Sequence, residues 1–237
     1  MLPSKERITV FQHHGNAIVQ LTILIYGKQG SGKTTLIQTI VEHIASRYGL
    51  ENVNAVWSKA NLDILLGRGI ADKLVNVLCC EDITLRRFKT ETLAEFFNIR
   101  HRVHALTKRR NGLVINIFTL HRYFGIKIEL RTEHDLLLFK SAPNNPYDRS
   151  AIKRFLGEYY LSEYSKIVDD RKTDVSKLGL TAFYTGNKKG IVDFPKAEKN
   201  YVVELYQKRR SISGLAVSIL VAFFVWVLAL FWFVVRR

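Results

Sequence analysis

Cysteine and methionine are scarce in this chain. Of its 237 residues, two are cysteines and one is methionine, and Cys79 and Cys80 are adjacent in an apolar run. Neighbouring residues of a strand point to opposite faces of a sheet, so this pair does not suit a disulfide and a reducing compartment is expected. No spacing of cysteine and histidine typical of a zinc site occurs. The sequence thus offers neither a disulfide framework nor a zinc site to stabilise a fold.

Acidic residues are few relative to basic ones. Lysine and arginine number 36 against 21 aspartates and glutamates, which gives a formal net charge of +15. A balance of this sign suits a polyanionic partner, either nucleic acid or anionic lipid headgroups, and a merely solvated basic surface is the alternative. The length is enough for one sizeable α/β domain with a short appendage.

Charge is absent altogether from one long segment. Residues 214–235, GLAVSILVAFFVWVLALFWFVV, contain no charged side chain, and about 22 residues at helical rise cover roughly 33 Å, enough to span a bilayer. A buried core helix is the alternative. The basic run at residues 208–210 favours the large domain on the cytoplasmic side. We therefore expect a domain over residues 1–207, followed by a basic flank and single-pass membrane anchor over residues 208–237.

Strand-like and helix-like runs alternate along the rest of the chain. Alternating strands and helices are typical of a mainly parallel sheet covered by helices on both faces, so the predicted fold class is α/β. The apolar runs LTAFYT and IVDF flank GNKKG and predict a β-hairpin near the C-terminal end of the domain. Strands are predicted at 17–26, 53–57, 74–80, 113–120 and 135–140, and helices at 34–48, 92–110 and 147–168.

The segment GKQGSGKT at residues 27–34 matches the phosphate-binding pattern GxxxxGK[ST]. A predicted strand precedes it and a predicted helix follows it, which is the context that a P-loop requires. Its glycines allow a tight turn that points backbone N–H groups at phosphate oxygens, and the helix adds the positive end of its dipole. Lys33 is expected to neutralise the β- and γ-phosphates of ATP, and Thr34 to hold Mg²⁺. The residues predicted to contact the nucleotide are Gly27, Gly30, Ser31, Gly32, Lys33, Thr34 and Thr35.

An acidic pair, Glu81 and Asp82, follows the strand predicted at 74–80. Carboxylates at a strand tip beside the P-loop can hold the water shell of Mg²⁺ and polarise the attacking water. Both are therefore candidate catalytic residues, with Glu81 also a candidate for the metal shell, and which one is the general base stays open. Two solvated acidic residues at a strand end are the alternative.

Arg100 lies in the helix predicted at 92–110, on the same apolar stripe as His104. A charge buried there needs a partner, because burying it unpaired is costly. Arg100 and the adjacent His101 are thus candidate contacts for the nucleotide or the acidic pair, with Arg100 also a candidate arginine finger toward a neighbouring subunit. A snorkelling arginine at the helix edge is the alternative.

Two further candidates, His121 and Arg131, follow the strand predicted at 113–120. At such a tip, beside the nucleotide-binding strands, Thr119 and His121 can report on the γ-phosphate, although His121 could equally make a backbone hydrogen bond. Arg131 is a second candidate arginine. His121 and Arg131 are both included among the predicted catalytic residues.

This ordered set of motifs resembles a known family. A P-loop, a strand ending in an acidic pair, a helix with NIRHR, a strand ending in TLHRY and a following Arg131 look like the HerA/FtsK-type pumping ATPases, particularly their viral genome-packaging branch. The apolar segment after GLTAFYTGNKKGIV is also similar to the zonula-occludens-toxin-like ATPases of filamentous phage assembly. The resemblance covers residues 17–194. The family usually has Asp-Glu where Glu81 and Asp82 stand, and glutamine where His121 stands.

The expected function is a membrane-anchored ATPase that translocates or packages DNA, or assembles a nucleoprotein particle. The resemblance implies ATP and Mg²⁺ as cofactors and a homo-oligomeric ring that tracks DNA phosphates without reading sequence. GTP stays open as the nucleotide. The alternative is a nucleotide-gated membrane scaffold with weak hydrolysis, which the inverted acidic pair and His121 would suit. A small-molecule kinase is disfavoured because no acceptor site is visible.

Overall fold

The computed structural model describes residues 17–59, 61–83, 90–123, 132–143, 146–170 and 178–205. The predicted membrane segment at 214–235 lies outside these residues, and so does Arg131. Among the helices that are described, none is long and apolar enough to cross a membrane.

The predicted strands and the helices predicted at 34–48 and 147–168 are confirmed, with ends shifted by a few residues, whereas the helix predicted at 92–110 is divided into two. Two short elements, α2 and β8, were not predicted. The strands are β1 (Ile18–Tyr26), β2 (Val53–Lys59), β3 (Val75–Glu81), β4 (Gly112–Leu120), β5 (Leu136–Phe139), β6 (Leu180–Tyr184), β7 (Lys189–Asp193) and β8 (Val203–Glu204). The helices are α1 (Lys33–Tyr48), α2 (Leu62–Arg68), α3 (Thr90–Phe97), α4 (Ile99–Thr107) and α5 (Pro146–Asp170).

The strands form one mainly parallel sheet in the order β7-β6-β5-β1-β4-β3-β2-β8. All neighbours from β5 to β8 in that order pair in parallel, whereas β6 and β7 are antiparallel. The carboxyl ends of β1, β4 and β3 therefore meet at one edge of the sheet, which we call the carboxyl edge. The opposite edge is the amino edge. This arrangement confirms the predicted α/β class and the predicted hairpin.

Helices cover both faces of the sheet. On one face, α1 packs Leu36, Ile37 and Val41 against inward side chains of the central strands. On the other face, the apolar sides of α2, α3, α4 and α5 form a second core with Phe118 and Phe139. Because both faces are buried, the central strands are almost wholly apolar, as in other parallel sheets. Every residue of β4 is buried.

The helix predicted at 92–110 is interrupted at Asn98, which separates α3 from α4. The interruption shifts the helical phase, so that Ile99 rather than Arg100 continues the buried stripe. Arg100 and His104 are exposed. The prediction that they share the apolar stripe is therefore wrong, since it assumed an uninterrupted helix.

Helix α5 bends sharply at Gly157, where φ is 78° and ψ is 167°. Only glycine adopts this backbone conformation readily. The β6–β7 hairpin packs at the bend, where the rings of Phe155 and Tyr184 lie 5.0 Å apart. A Cβ atom on Gly157 would lie 3.2 Å from Lys189 Nζ.

Replacing Gly157 by alanine should destabilise the fold by about 1–3 kcal/mol, because alanine strains this backbone conformation. Gly67 is the matched control, since it is exposed inside α2 and a Cβ there would meet nothing within 4 Å. Gly67→Ala should stabilise the protein by about 0.5–1 kcal/mol. Urea unfolding of the full chain in mild detergent, followed by circular dichroism, measures both. Equal midpoints for the two variants would contradict the assigned role of Gly157.

Candidate functional site

The loop between β1 and α1 makes a tight turn at two glycines. Gly30 and Gly32 have φ angles of 73° and 85°, in the left-handed region that glycine adopts without a Cβ penalty. Gly32 caps α1, which begins at Lys33. The first turn of a helix carries backbone N–H groups without helical partners and the positive end of the dipole. The loop thus has the geometry of an anion-binding turn at the carboxyl edge.

Lys33 lies inside this loop with 6% of its surface exposed. Its ammonium donates to the carbonyl oxygens of Gly27 at 2.8 Å and Lys28 at 2.9 Å. Burial lowers the pKa of Lys33, while the nearby carboxylates of Asp82 and Glu81 act to raise it. A cation in this position can compensate phosphate charge in a poorly solvated site, where electrostatic attraction is strong.

Ser31 places a buried hydroxyl in the same loop. Its Oγ has no hydrogen-bond partner in the part of the chain that the structure describes. A Cβ at Gly27 would lie 2.4 Å from this oxygen, so a side chain at that position would displace the Ser31 hydroxyl. A buried donor without a partner costs free energy, and a phosphate oxygen would satisfy it. Ser31 therefore fits a bound phosphate group.

Thr34 and Glu81 are brought together at the carboxyl edge. The hydroxyl of Thr34, in the first turn of α1, donates to Glu81 Oε1 at 2.6 Å, although β4 lies between β1, which leads into the P-loop, and β3, which carries Glu81. Hydroxyl and carboxylate oxygens are ligands that Mg²⁺ accepts. Among the described residues, no cluster of three or more His, Cys, Asp or Glu side chains could hold a metal ion by itself. An ion held by this pair would take its remaining ligands from phosphate and water.

Asp82 has a different partner from Glu81. Its Oδ1 lies 2.5 Å from Nε2 of His121, and Nδ1 of the same ring lies 3.2 Å from Lys33 Nζ. An ammonium group can only donate, so Nδ1 accepts from Lys33 and Nε2–H donates to Asp82. The neutral imidazole with its proton on Nε2 satisfies both contacts. His121 therefore joins the P-loop lysine to the acidic pair.

Thr119 holds the acidic pair in place through backbone hydrogen bonds. Asp82 has a φ angle of 56°, which is uncommon for a residue with a side chain. Its N–H donates to Thr119 Oγ1 at 3.0 Å, and the N–H of Ile83 donates to the Thr119 carbonyl at 3.0 Å. Thr119 was predicted to report on a γ-phosphate, but its hydroxyl is engaged in fixing the backbone of Asp82.

The sequence analysis missed Lys140 and Ser141, which follow β5 and support the P-loop. The N–H of Lys140 donates to the Tyr26 carbonyl at 2.7 Å, and Ser141 Oγ accepts from the N–H of Lys28 at 2.9 Å. Both side chains are buried. A lysine and a serine directly after a wholly apolar strand are the only sequence signal of this role.

Arg100 lies at the amino edge, away from the P-loop. Its backbone N–H lies 3.4 Å from the Gln20 side-chain oxygen, near the start of β1. Gln20 precedes Gly27 by about seven residues, or roughly 23 Å at the rise of a strand. Within one chain Arg100 therefore does not contact the nucleotide loop or the acidic pair. Its role as a finger toward a neighbouring subunit stays a prediction.

Comparisons with known proteins agree with this fold. A family model described as RNA helicase matches residues 23–84, from β1 through the P-loop to the acidic pair. No curated protein matches the chain. The genome packaging NTPase B204 from Sulfolobus turreted icosahedral virus 2, in complex with ATP-gammaS, is similar at a TM-score of 0.51 and 11% identity, over 75% of this chain and 98% of that chain. Its complex with AMPPCP gives a TM-score of 0.49 and 13% identity, over 74% and 97%. The chain has the mixed α/β fold of a P-loop NTPase.

Replacing Lys33 by alanine should weaken nucleotide binding by at least about tenfold, because a charge-assisted contact to phosphate is worth roughly 1.5–3 kcal/mol. Lys28→Ala is the matched control, since it removes the same charge from an exposed position of the same loop. It should change affinity by less than about threefold. Titration of both variants with a fluorescent ATP analogue measures the difference. Unchanged affinity in the Lys33 variant would contradict the assignment of this loop as the nucleotide-binding site.

Proposed function

We propose that this protein is an ATP-hydrolysing motor that translocates or packages DNA, attached to a membrane by residues 214–235. The observation that carries the proposal is the pair of contacts at the carboxyl edge, from Thr34 to Glu81 and from Lys33 through His121 to Asp82. They bring a P-loop, an acidic pair and a histidine into one site. Such a site suits phosphoryl transfer to water better than it suits nucleotide storage.

The two carboxylates take different roles in this proposal. Thr34 and Glu81 would hold Mg²⁺, and the ion would supply neutralisation of the charge on the phosphates. Asp82 accepts the proton of the attacking water, and His121 orients the carboxylate through its Nε2–H. Lys33 and the N–H groups of the loop bind and align the phosphate chain, because such transfer depends mainly on positioning and charge stabilisation.

Nucleic acid is the proposed substrate because of charge and fold together. The chain carries a formal net charge of +15, and a large basic excess favours binding to a phosphate backbone. The structurally similar B204 is described as a genome packaging NTPase. A nucleotide-gated scaffold is the second candidate. It is favoured by the contact between Lys33 and His121, which could keep the Lys33 ammonium from the phosphates and so slow hydrolysis.

Membrane attachment is proposed on the sequence of residues 214–235. An uncharged segment of about this length is enough to span a bilayer as a helix. The basic residues Lys208, Arg209 and Arg210 favour a cytoplasmic location for the domain that precedes them. A motor that uses ATP would work on that side.

ATP turnover in the presence of DNA separates the motor from the scaffold. We expect turnover on the order of one per second or faster, in the range common for enzymes, and a severalfold rise when duplex DNA is added. Phosphate release by the full chain in detergent, with and without single- and double-stranded DNA, measures this. Lys33→Ala serves as the inactive control. ATP binding without hydrolysis, unaffected by DNA, would support the scaffold instead.

Mixing of subunits tests whether Arg100 acts on a neighbour. Because Arg100 lies at the amino edge, Arg100→Ala subunits mixed with wild type should depress activity more than dilution does. Arg102→Ala is the matched control, since Arg102 is exposed on the same helix and pairs with Glu95 at 3.0 Å. Phosphate release is followed across mixing ratios. Activity strictly proportional to the wild-type fraction would exclude a contribution in trans.

A further inference from the structure

The β6–β7 hairpin carries two lysines at the edge of the sheet opposite the P-loop. β6 runs antiparallel to β5, with Ala182 opposite Phe139 and Tyr184 opposite Leu137, so the turn at 185–188 lies beyond the amino end of β5. Lys188 and Lys189 are both exposed. The hairpin also forms one end of the sheet, because β7 is its outermost strand. Its tip is therefore accessible and distant from the nucleotide.

One further basic side chain, Lys153 of α5, lies near the hairpin. Lys189 Nζ lies against the bend of α5, close to the point where a Cβ on Gly157 would lie. The next residue, Glu158, forms an ion pair with Lys153. We call the three cations Lys153, Lys188 and Lys189 the basic hairpin face.

The basic hairpin face is built on a rigid support. The N–H of Thr185 donates to the carbonyl of Lys188 at 2.9 Å and closes the turn. Just before the turn, Tyr184 packs edge-on against Phe155 of α5, with ring centroids 5.0 Å apart. A backbone held in this way needs little reordering when a partner binds, which favours affinity.

The buried side chain and backbone of Lys140 connect this hairpin to the P-loop. The N–H of Lys140 donates to the carbonyl of Tyr26, where β1 ends and the P-loop begins. Its ammonium donates to the carbonyl of Leu178 at 2.6 Å and lies 3.4 Å from Thr181 Oγ1. Thr181 belongs to β6, so Lys140 contacts both the first strand of the hairpin and the end of β1, where the P-loop begins.

We propose that the basic hairpin face binds the phosphate backbone of DNA, without reading base sequence. The proposal rests on the proposed motor function and identifies its DNA-contacting surface. Lysine ammonium groups on a short turn can contact phosphates but offer few groups for base edges. Residues 185–187, Thr-Gly-Asn, provide no apolar side chain to enter a lipid interface, and membrane-surface elements normally carry one. Nucleic acid is therefore favoured over anionic lipid.

The test is a charge reversal at the tip, Lys188→Glu with Lys189→Glu, in the full chain kept in detergent. Arg110→Glu with Lys196→Glu is the matched control, because both residues are exposed and the change in net charge is the same. Binding of a short fluorescein-labelled duplex is measured over a range of salt concentrations without nucleotide. We expect an affinity loss of at least about tenfold for the tip variant, and a salt slope smaller by about 2, one unit for each lost phosphate contact. Basal ATP turnover should be unchanged.

The outcomes separate this proposal from its rivals. Equal losses in the tip and control variants, or no loss in either, would overturn it. Retained DNA binding with lost binding to phosphatidylglycerol vesicles would overturn it in favour of lipid. Lys188→Gln with Lys189→Gln repeats the measurement without new carboxylates, in case the reversal prevents folding. Because DNA binding is read without nucleotide, a wild type that lacks turnover would defeat the proposed function and still leave this result decisive.

Discussion

Parallel pairing of β1, β4 and β3 is the constraint on which the candidate site depends. The three strands run in the same direction, so the P-loop after β1, His121 after β4 and the acidic pair at the end of β3 all lie at the carboxyl edge. The pairing is stabilised by apolar side chains buried on both faces of the sheet. A shift of register by one residue would exchange the faces and separate the groups.

The two acidic residues illustrate how neighbours in sequence acquire different surroundings. Glu81 is the last residue of β3 and reaches Thr34 on α1. Asp82 has left the strand with a positive φ, which turns its carboxylate toward His121. Thr119 makes this backbone conformation possible by accepting the Asp82 N–H. One buried hydroxyl thus helps to give two neighbouring carboxylates separate partners.

Buried cations in a strongly basic protein need local compensation. Lys33 and Lys140 are both almost fully buried, and both donate to backbone carbonyl oxygens. Carbonyl dipoles reduce the cost of removing an ammonium from water, since an uncompensated buried charge is expensive. Both lysine side chains lie close to Gly27, at the start of the P-loop.

Much of the fold could be predicted because its elements are long and strongly patterned. The apolar runs of β1, β3 and β4 and the helical spacing of α1 are local signals. Helix α2 lacked such a signal, since a seven-residue helix is stable only when packing buries Leu62, Leu65 and Leu66. The two residues of β8 form a strand only because β2 is beside them.

The sequence by itself determined the α/β class, the P-loop and the set of polar residues that follow each strand, because these depend on spacing within short segments. The tertiary structure alone decided which of those residues meet. It placed β4 between β1 and β3, gave Glu81 and Asp82 separate partners, and exposed Arg100 through the break at Asn98. It also revealed Lys140, whose contacts come from segments far apart in the chain. Such contacts depend on strand order and helical phase, which no local pattern encodes.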